Sequence, residues 1–419
     1  NFKSVKSPQT ISFQAVKDSR LPASKLVEVN DHLKVIKTSA IIGPNGAGKS
    51  SFVRALEVLK RIVMASDGPE NPLQGALTGT VFAYGIDKAT PATISIEVLL
   101  DKGEGTDEKP TTIARYTLKA NKEKIYEESL YYIINNSKKL MFERLLGEDG
   151  LYSYRFGKLY RGEKKRQAAK LPENRTFLAG SARKGGQTSL ELYTWFEKKL
   201  HILPMGVSTK AEQYACDMLK AHPGWGEQIL NYLWALDITD INRVEVKTNE
   251  NGEDHLRFTH IYVNDKKAEG YANVFAGESL SLRRLTVIGF AFFEAFITEK
   301  TLVIDDFGQL LHPDILCHLV EIFENCDQES QMLVVDCNPS LLREGLLRRD
   351  AVWFAQKDQE SSTVYYSLSD FKGARGKVPT SQRYMQGVYG SLPITSEFYF
   401  VHDGTPVEPE KAETEGEEA

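Results

Sequence analysis

Cysteine is scarce. Cys216, Cys317, Cys326 and Cys337 are scattered through 419 residues, and no CxxC pair occurs. That speaks against a disulfide or zinc framework and fits a reducing compartment. No apolar run reaches the length of a membrane span, and no signal peptide opens the chain. A cytoplasmic location without membrane contact is therefore expected. An excess of charge of one sign is also lacking: 52 Lys and Arg stand against 57 Asp and Glu, a net charge of −5. Nothing global points to a nucleic-acid partner. Part of that negative charge is local, because the last residues, 402–419, are rich in Glu and read as an acidic disordered tail. No heptad pattern is sustained and no internal repeat is found, which excludes a long coiled coil. What remains is 41% hydrophobic and 26% charged, the balance of a soluble protein with a real core.

Two segments carry chemistry. The first is Gly43-Pro44-Asn45-Gly46-Ala47-Gly48-Lys49-Ser50, followed by Ser51, which fits G-x-x-x-x-G-K-[ST]. Backbone N–H groups converge on phosphate oxygens in such a loop, and glycine permits the close approach and the unusual dihedrals. Its context is right: an apolar strand over Leu33–Ile42 precedes, and an amphipathic helix from Lys49 to about Met64 follows, with Phe52, Leu56, Leu59 and Val63 on one face. The helix N-terminus favours an anion. Lys49 would reach the β- and γ-phosphates of ATP, and Ser50 would ligate Mg2+.

The second segment is Leu302-Val303-Ile304-Asp305-Asp306, an apolar strand ending in two carboxylates. Asp305 would hold Mg2+ directly or through water, as in a Walker B strand. Asp306 stands where ABC-type ATPases normally carry the Glu that polarises the attacking water. It is one methylene shorter, and a misplacement of about 1 Å can cost roughly 10²-fold in rate. Slow hydrolysis is expected. The bland alternative is that the pair caps the following segment.

The residues Ile304-Asp305-Asp306-Phe307-Gly308-Gln309-Leu310-Leu311-His312-Pro313 resemble the IDE-x-x-x-x-LHP stretch of a bacterial branch of ABC-type AAA ATPases. That branch, the RloA, AbiLi and PARIS AriA-like ATPases of abortive-infection and anti-phage systems, is kin to the SMC and OLD ATPases. Asn1-Phe2-Lys3-Ser4 is similar to its opening strand, Glu278-Ser279 to its signature, and the blocks Tyr366–Phe371 and Tyr389–Pro393 to its C-terminal motifs. The resemblance implies an α/β fold, an ABC-type (SMC-like) P-loop ATPase head with a helical insertion. It also implies binding of ATP and Mg2+ and head-to-head dimerisation, each loop facing Ser279 of a second copy. A role in anti-phage defence follows, scaffolding or gating an effector such as a toprim-like nuclease or a toxin. Three departures fall on the hydrolysis machinery. Ser281 replaces a signature Gly, Asp306 replaces Glu, and Asp336-Cys337-Asn338 stands where a switch His is expected. A different class, an SMC/RecF-like repair ATPase clamping DNA, is the rival.

The expected organisation is an N-terminal lobe over 1–120 containing strands at Asn1–Val5, Ile11–Ala15, Thr80–Tyr84, Thr93–Leu100 and Thr111–Leu118. A mainly helical insertion follows over 121–236, with helices at Leu190–Leu200, Lys210–Ala221 and Trp225–Leu236, and a C-terminal lobe over 237–401. Several residues leave two readings open. Arg155 to Lys170 holds seven basic residues and one acid among aromatics, as a nucleic-acid surface or a solvated loop would. Gln74 is a Q-loop candidate or a surface residue. Arg283 and Arg284 could meet a partner's nucleotide or begin a surface turn, and His312 could face a partner or only open a helix before Pro313.

Overall fold

The computed structural model describes residues 1–395 except 18–24, 31–32, 66–67, 69, 85, 101–111, 204–208, 265–266, 327 and 372–377. The acidic tail expected over 402–419 lies outside the described residues.

The chain starts with a tight turn in which Phe2 and Val5 exchange backbone bonds and Lys3 takes a positive φ of 51°. The strand expected at Asn1–Val5 is therefore a bridge closed on itself. Residues near Gln14 run beside the hairpin of β1 (Leu26–Asn30) and β2 (Leu33–Ile36) through a single bridge, not as a full strand. Next come β3 (Thr38–Ile42), α1 (Lys49–Met64) and α2 (Pro72–Leu77). The strand expected at Thr80–Tyr84 does not form. That stretch is pinned instead by the Lys3 N–H, which donates to the Thr80 carbonyl, and by Asn1 Oδ1, which accepts from the Phe82 N–H.

Five strands follow as an antiparallel meander: β4 (Ala92–Leu100), β5 (Thr112–Ala120), β6 (Ile125–Ile134), β7 (Ser137–Leu146) and β8 (Tyr152–Phe156). This corrects the helical reading of residues 121–236, since 125–156 are strand. The local reason is visible afterwards. Asn135 and Asn136 both take left-handed φ, 47° and 59°, as the two-residue turn of a hairpin requires. The flanks are rich in Ile, Tyr and Leu, residues that suit a pleated surface.

The helical part begins later, with α3 (Lys165–Lys170), α4 (Phe177–Ala182) and α5 (Gln187–Thr194), the last continuing into a π-turn over Trp195–Lys199. It then gives one strand back to the core, β9 (Leu200–Leu203), before α6 (Thr209–Ala221) and α7 (Trp225–Ala235). A three-stranded antiparallel sheet, β10 (Ile241–Thr248), β11 (Asp254–Asn264) and β12 (Lys267–Val274), leads into α8 (Leu280–Thr298). The remainder is β13 (Thr301–Ile304), α9 (Pro313–Glu324), β14 (Gln331–Asp336), β15 (Val352–Lys357), β16 (Thr363–Ser367) and α10 (Thr380–Met385).

The central sheet has the order β16-β15-β3-β14-β13-β9, parallel throughout except for the antiparallel edge strand β16. Both faces are covered, as a parallel sheet demands. Side chains alternate across it. Ala40, Ile42, Leu302, Ile304, Met332 and Val334 pack with α6 to α9. Ile41, Val303, Leu333 and Val335 face α1 and the meander. Helix α8 is largely buried, with Leu285, Ile288, Phe290, Ala291 and Phe292 all in the core, because most of its surface is apolar. Among the described residues no helix is long and apolar enough to cross a membrane.

Candidate nucleotide site

The loop 43–48 joins the fully buried β3 to α1. Gly46 and Gly48 take φ of 79° and 92°, values that side chains tolerate poorly. At Gly48 a Cβ would also lie 2.0 Å from Thr363 Oγ1. Lys49 is buried, and its ammonium donates to the carbonyls of Gly43 (2.9 Å) and Pro44 (3.0 Å), so the lysine folds across the loop. Ser50 Oγ donates to Asp305 Oδ1 at 3.1 Å, bringing the two metal-binding candidates together from positions far apart in sequence.

Asp306 has a left-handed φ of 47°, and its N–H donates to Asp305 Oδ1 at 3.1 Å. Short polar Asp is among the few residues that accept this backbone. Burial, with the neighbouring Asp306 carboxylate adding to it, holds Asp305 above the usual carboxylate range despite the bond from Ser50. Such a carboxylate is relieved by a divalent cation, whose remaining ligands phosphate and water can supply. A cavity of about 320 Å3 lined by Ser4, Asn45, Gly46, Gly48, Lys49, Ser50, Ser51 and Asp306 lies over the loop. Donor set, glycines and cavity all fit a nucleotide triphosphate with Mg2+.

The remaining positions fall as follows. Gly43 and Ala47 are buried supports of the loop. Ser279 does not line this cavity. It caps α8, its Oγ accepting from the Leu282 N–H at 3.2 Å. The adjacent Glu278 accepts from His260, which also contacts Asp240 (2.9 and 2.7 Å). Burial alone would lower the His260 pKa, but these two bonds raise it above the ordinary value. Ser281 Oγ donates to the Leu310 carbonyl, tying the signature-like turn to the loop that follows β13. His312 caps α9, its ring nitrogen accepting from the Asp314 N–H, and its side chain is exposed. Gln74 sits exposed on α2 and does not line the cavity. Cys337 is exposed, while the buried Asp336 accepts from the N–H groups of Gly308 and Asn338.

Several contributors had no signal in the sequence. Ser4 Oγ lies 2.7 Å from Ser51 Oγ, and Thr363 Oγ1 is 2.7 Å from both Ser4 Oγ and the Ala47 carbonyl. Tyr365 donates its hydroxyl to the Gly48 carbonyl at 2.8 Å. These residues brace the loop from the two ends of the chain. Arg284, left open above, is buried and donates to the carbonyls of Asp305 (2.9 Å) and Asp306 (3.2 Å), so it reaches its own chain's acidic pair.

Residues 39–175 match a family model described as an AAA domain, putative AbiEii toxin, Type IV TA system. That segment begins in β3 and takes in the phosphate loop and α1. That third of the chain is similar to an AAA domain. Solved structures similar to this chain include an SMC head bound to the C-winged helix domain of ScpA. It is 12% identical, the match covering 80% of this chain and 92% of that one with a TM-score of 0.42. The SMC head domain from Thermotoga maritima is 13% identical, with coverage of 87% and 95% and a TM-score of 0.36. An SMC head with an extended coiled coil, bound to the C-terminal domain of ScpA and derived from Pyrococcus furiosus, is 10% identical, with coverage of 85% and 94% and a TM-score of 0.35. No curated protein matches.

Proposed function

We propose that this chain is an ABC-type AAA ATPase that binds Mg-ATP in the loop Gly43–Ser50, hydrolyses it slowly, and uses the bound state to assemble head to head and scaffold or gate an effector in anti-phage defence. The observation that carries the reading is the pairing of Ser50 with Asp305 at the foot of a loop whose lysine already crosses it. Lys49 would exchange its carbonyl partners for phosphate oxygens. Ser50 and Asp305 would hold the cation, which neutralises charge on the phosphates. Asp306 would orient the water, from a carboxylate set back by one methylene. The defence role leans on the family description of residues 39–175 and on the sequence blocks that resemble abortive-infection ATPases.

Binding and turnover measured together on the purified chain test this. Mg-ATP should bind tightly, and Lys49→Ala should lose at least about tenfold in affinity, as expected for a charged hydrogen-bonding group removed from a phosphate site. Turnover should be far below the ~10 s⁻¹ typical of enzymes, and Asp306→Glu should raise it. Brisk turnover by the unmodified chain would sink the slow-hydrolysis reading.

A further inference from the structure

Residues 151–186 hold ten basic and two acidic side chains, in a chain whose net charge is −5. Folding draws two separate basic turns of this stretch together. The Thr188 N–H donates to the Arg161 carbonyl at 3.2 Å, and the Arg161 N–H donates back to Thr188 Oγ1 at 2.8 Å. Tyr160 and Ser181 share a hydrogen bond of 2.7 Å, and a Cβ placed on Gly162 would lie 3.1 Å from Gly186 Cα. The turn bearing Arg161, which leads into α3 at Lys165, therefore rests against the turn bearing Arg183 and Lys184.

The acids nearby do not neutralise this face. Glu163 pairs with Arg166 and Glu143 with Arg155. Arg183 is engaged too, donating to the carbonyls of Met64 and Ala65 at the end of α1. Lys158, Arg161, Lys165, Lys170 and Lys184 are exposed, and none forms an ion pair with a carboxylate among the described residues. Like charges gathered on a folded scaffold, ten against the two acids Glu163 and Glu173, repel one another, and a polyanion relieves that repulsion.

The aromatics decide what kind of polyanion contact this is. Tyr154, Phe156 and Tyr160 do not stand out from the surface among the exposed cations. They pack on Phe177, with ring centroids 5.9, 5.5 and 6.1 Å away, and the ammonium of Lys164 lies over Phe156 and Tyr160 at 6.0 and 5.9 Å. Tyr160 is buried and Tyr154 and Phe156 are half-buried, their rings engaged with Phe177 and with each other, so base stacking or an aromatic anchor is not the main contact this face offers. We propose that the basic surface around Arg161, Lys165 and Lys184 binds the phosphodiester backbone of nucleic acid without reading its sequence. The proposal stands on charge and geometry alone and does not depend on the nucleotide site.

The test is fluorescence anisotropy with the full chain at about 50 mM salt, using labelled duplex DNA, single-stranded DNA and single-stranded RNA in separate arms. Saturable binding in at least one arm is expected, weakening steeply as salt rises. The triple variant Arg161→Glu, Lys165→Glu, Lys184→Glu should bind at least about tenfold more weakly, and the log–log salt slope should fall by about 2–3. Glutamine at the same three positions, a milder change, should weaken binding in the same direction. A control of equal charge change on the other sheet, Arg243→Glu, Lys247→Glu, Lys267→Glu, should stay within about twofold of the parent. Unchanged melting temperatures and Mg-ATP binding would show that the variants are folded. The arm that binds identifies the nucleic acid. Absence of saturable binding in every arm overturns the proposal. So does a control that weakens as much as the patch variant, since attraction would then be global, and so does preferential capture of an acidic peptide, which would make the face a protein dock.

Discussion

Gly48 shows how much a single position in the phosphate loop must satisfy. Its φ of 92° is one that an L side chain adopts only with strain, and a Cβ there would collide with Thr363 Oγ1 and Ser4 Oγ. Left-handed backbone costs a non-glycine residue about 1–2 kcal/mol before any collision is counted. Gly48→Ala should therefore abolish measurable Mg-ATP binding while the rest of the chain stays folded, read by calorimetry beside circular dichroism; retained affinity would mean the loop can relax. Asp306 presents the opposite case, a residue suited to the left-handed backbone it occupies. At this scale the loop and the acidic pair were legible because each is a contiguous run with a fixed chemical need. Ser4, Thr363 and Tyr365 were not, because nothing in their neighbourhoods says that they meet beneath Gly48. Only tertiary packing does.

Elements are tied to one another by a few buried polar groups, and Glu294 on α8 is the clearest. It accepts from Tyr214 of α6 at 2.8 Å, contacts His201 of β9 at 2.9 Å and pairs with Lys300 just before β13. Burial alone would raise its pKa, but His201, Lys300 and Tyr214 outweigh it and bring the value from 4.5 to about 2. The folded state thus binds this proton less tightly than the unfolded chain. The contribution is complete above about pH 4.5 and fades as pH falls toward 2. Glu294→Gln should cost about 1–2 kcal/mol at neutral pH, after allowing for solvent screening, and the gap from the parent should shrink in acid. Urea midpoints at pH 7 and pH 3.5 check this, and a gap independent of pH would mean that shape, not charge, is at stake.

Element type was legible where periodicity was long, as in α1, α8 and α9. It failed where pairing decides. The four residues of β9 become a strand only by lying beside β13. The hairpin of β6 and β7 was misread because its flanks carry charged residues that also suit a helix, while its signal was two asparagines.

For the whole molecule, the decisive question is whether two copies close around nucleotide. Ser279 caps α8 and lies outside its own chain's cavity, so any contact it makes with phosphate would be to a second copy's. Mg-ATP should double the mass seen by light scattering under conditions that suppress turnover. Ser279→Arg should keep nucleotide binding yet stay monomeric, at a cost of about 1 kcal/mol for the lost cap. A parent that remains monomeric with saturating Mg-ATP would refute the head-to-head reading.

The order of the central sheet also says something about birth on the ribosome. The meander β4 to β8 pairs each strand with the next and can close as it emerges. Strand β3, which launches the phosphate loop, has as its neighbours β14 and β15, made from Gln331–Asp336 and Val352–Lys357. It must wait for roughly three hundred further residues, some 15–60 s at ~5–20 residues per second. The segment proposed to hold ATP is thus translated early and completed late, and a nascent chain that stalls before Tyr365 has emerged carries the whole loop without the hydroxyl that braces it.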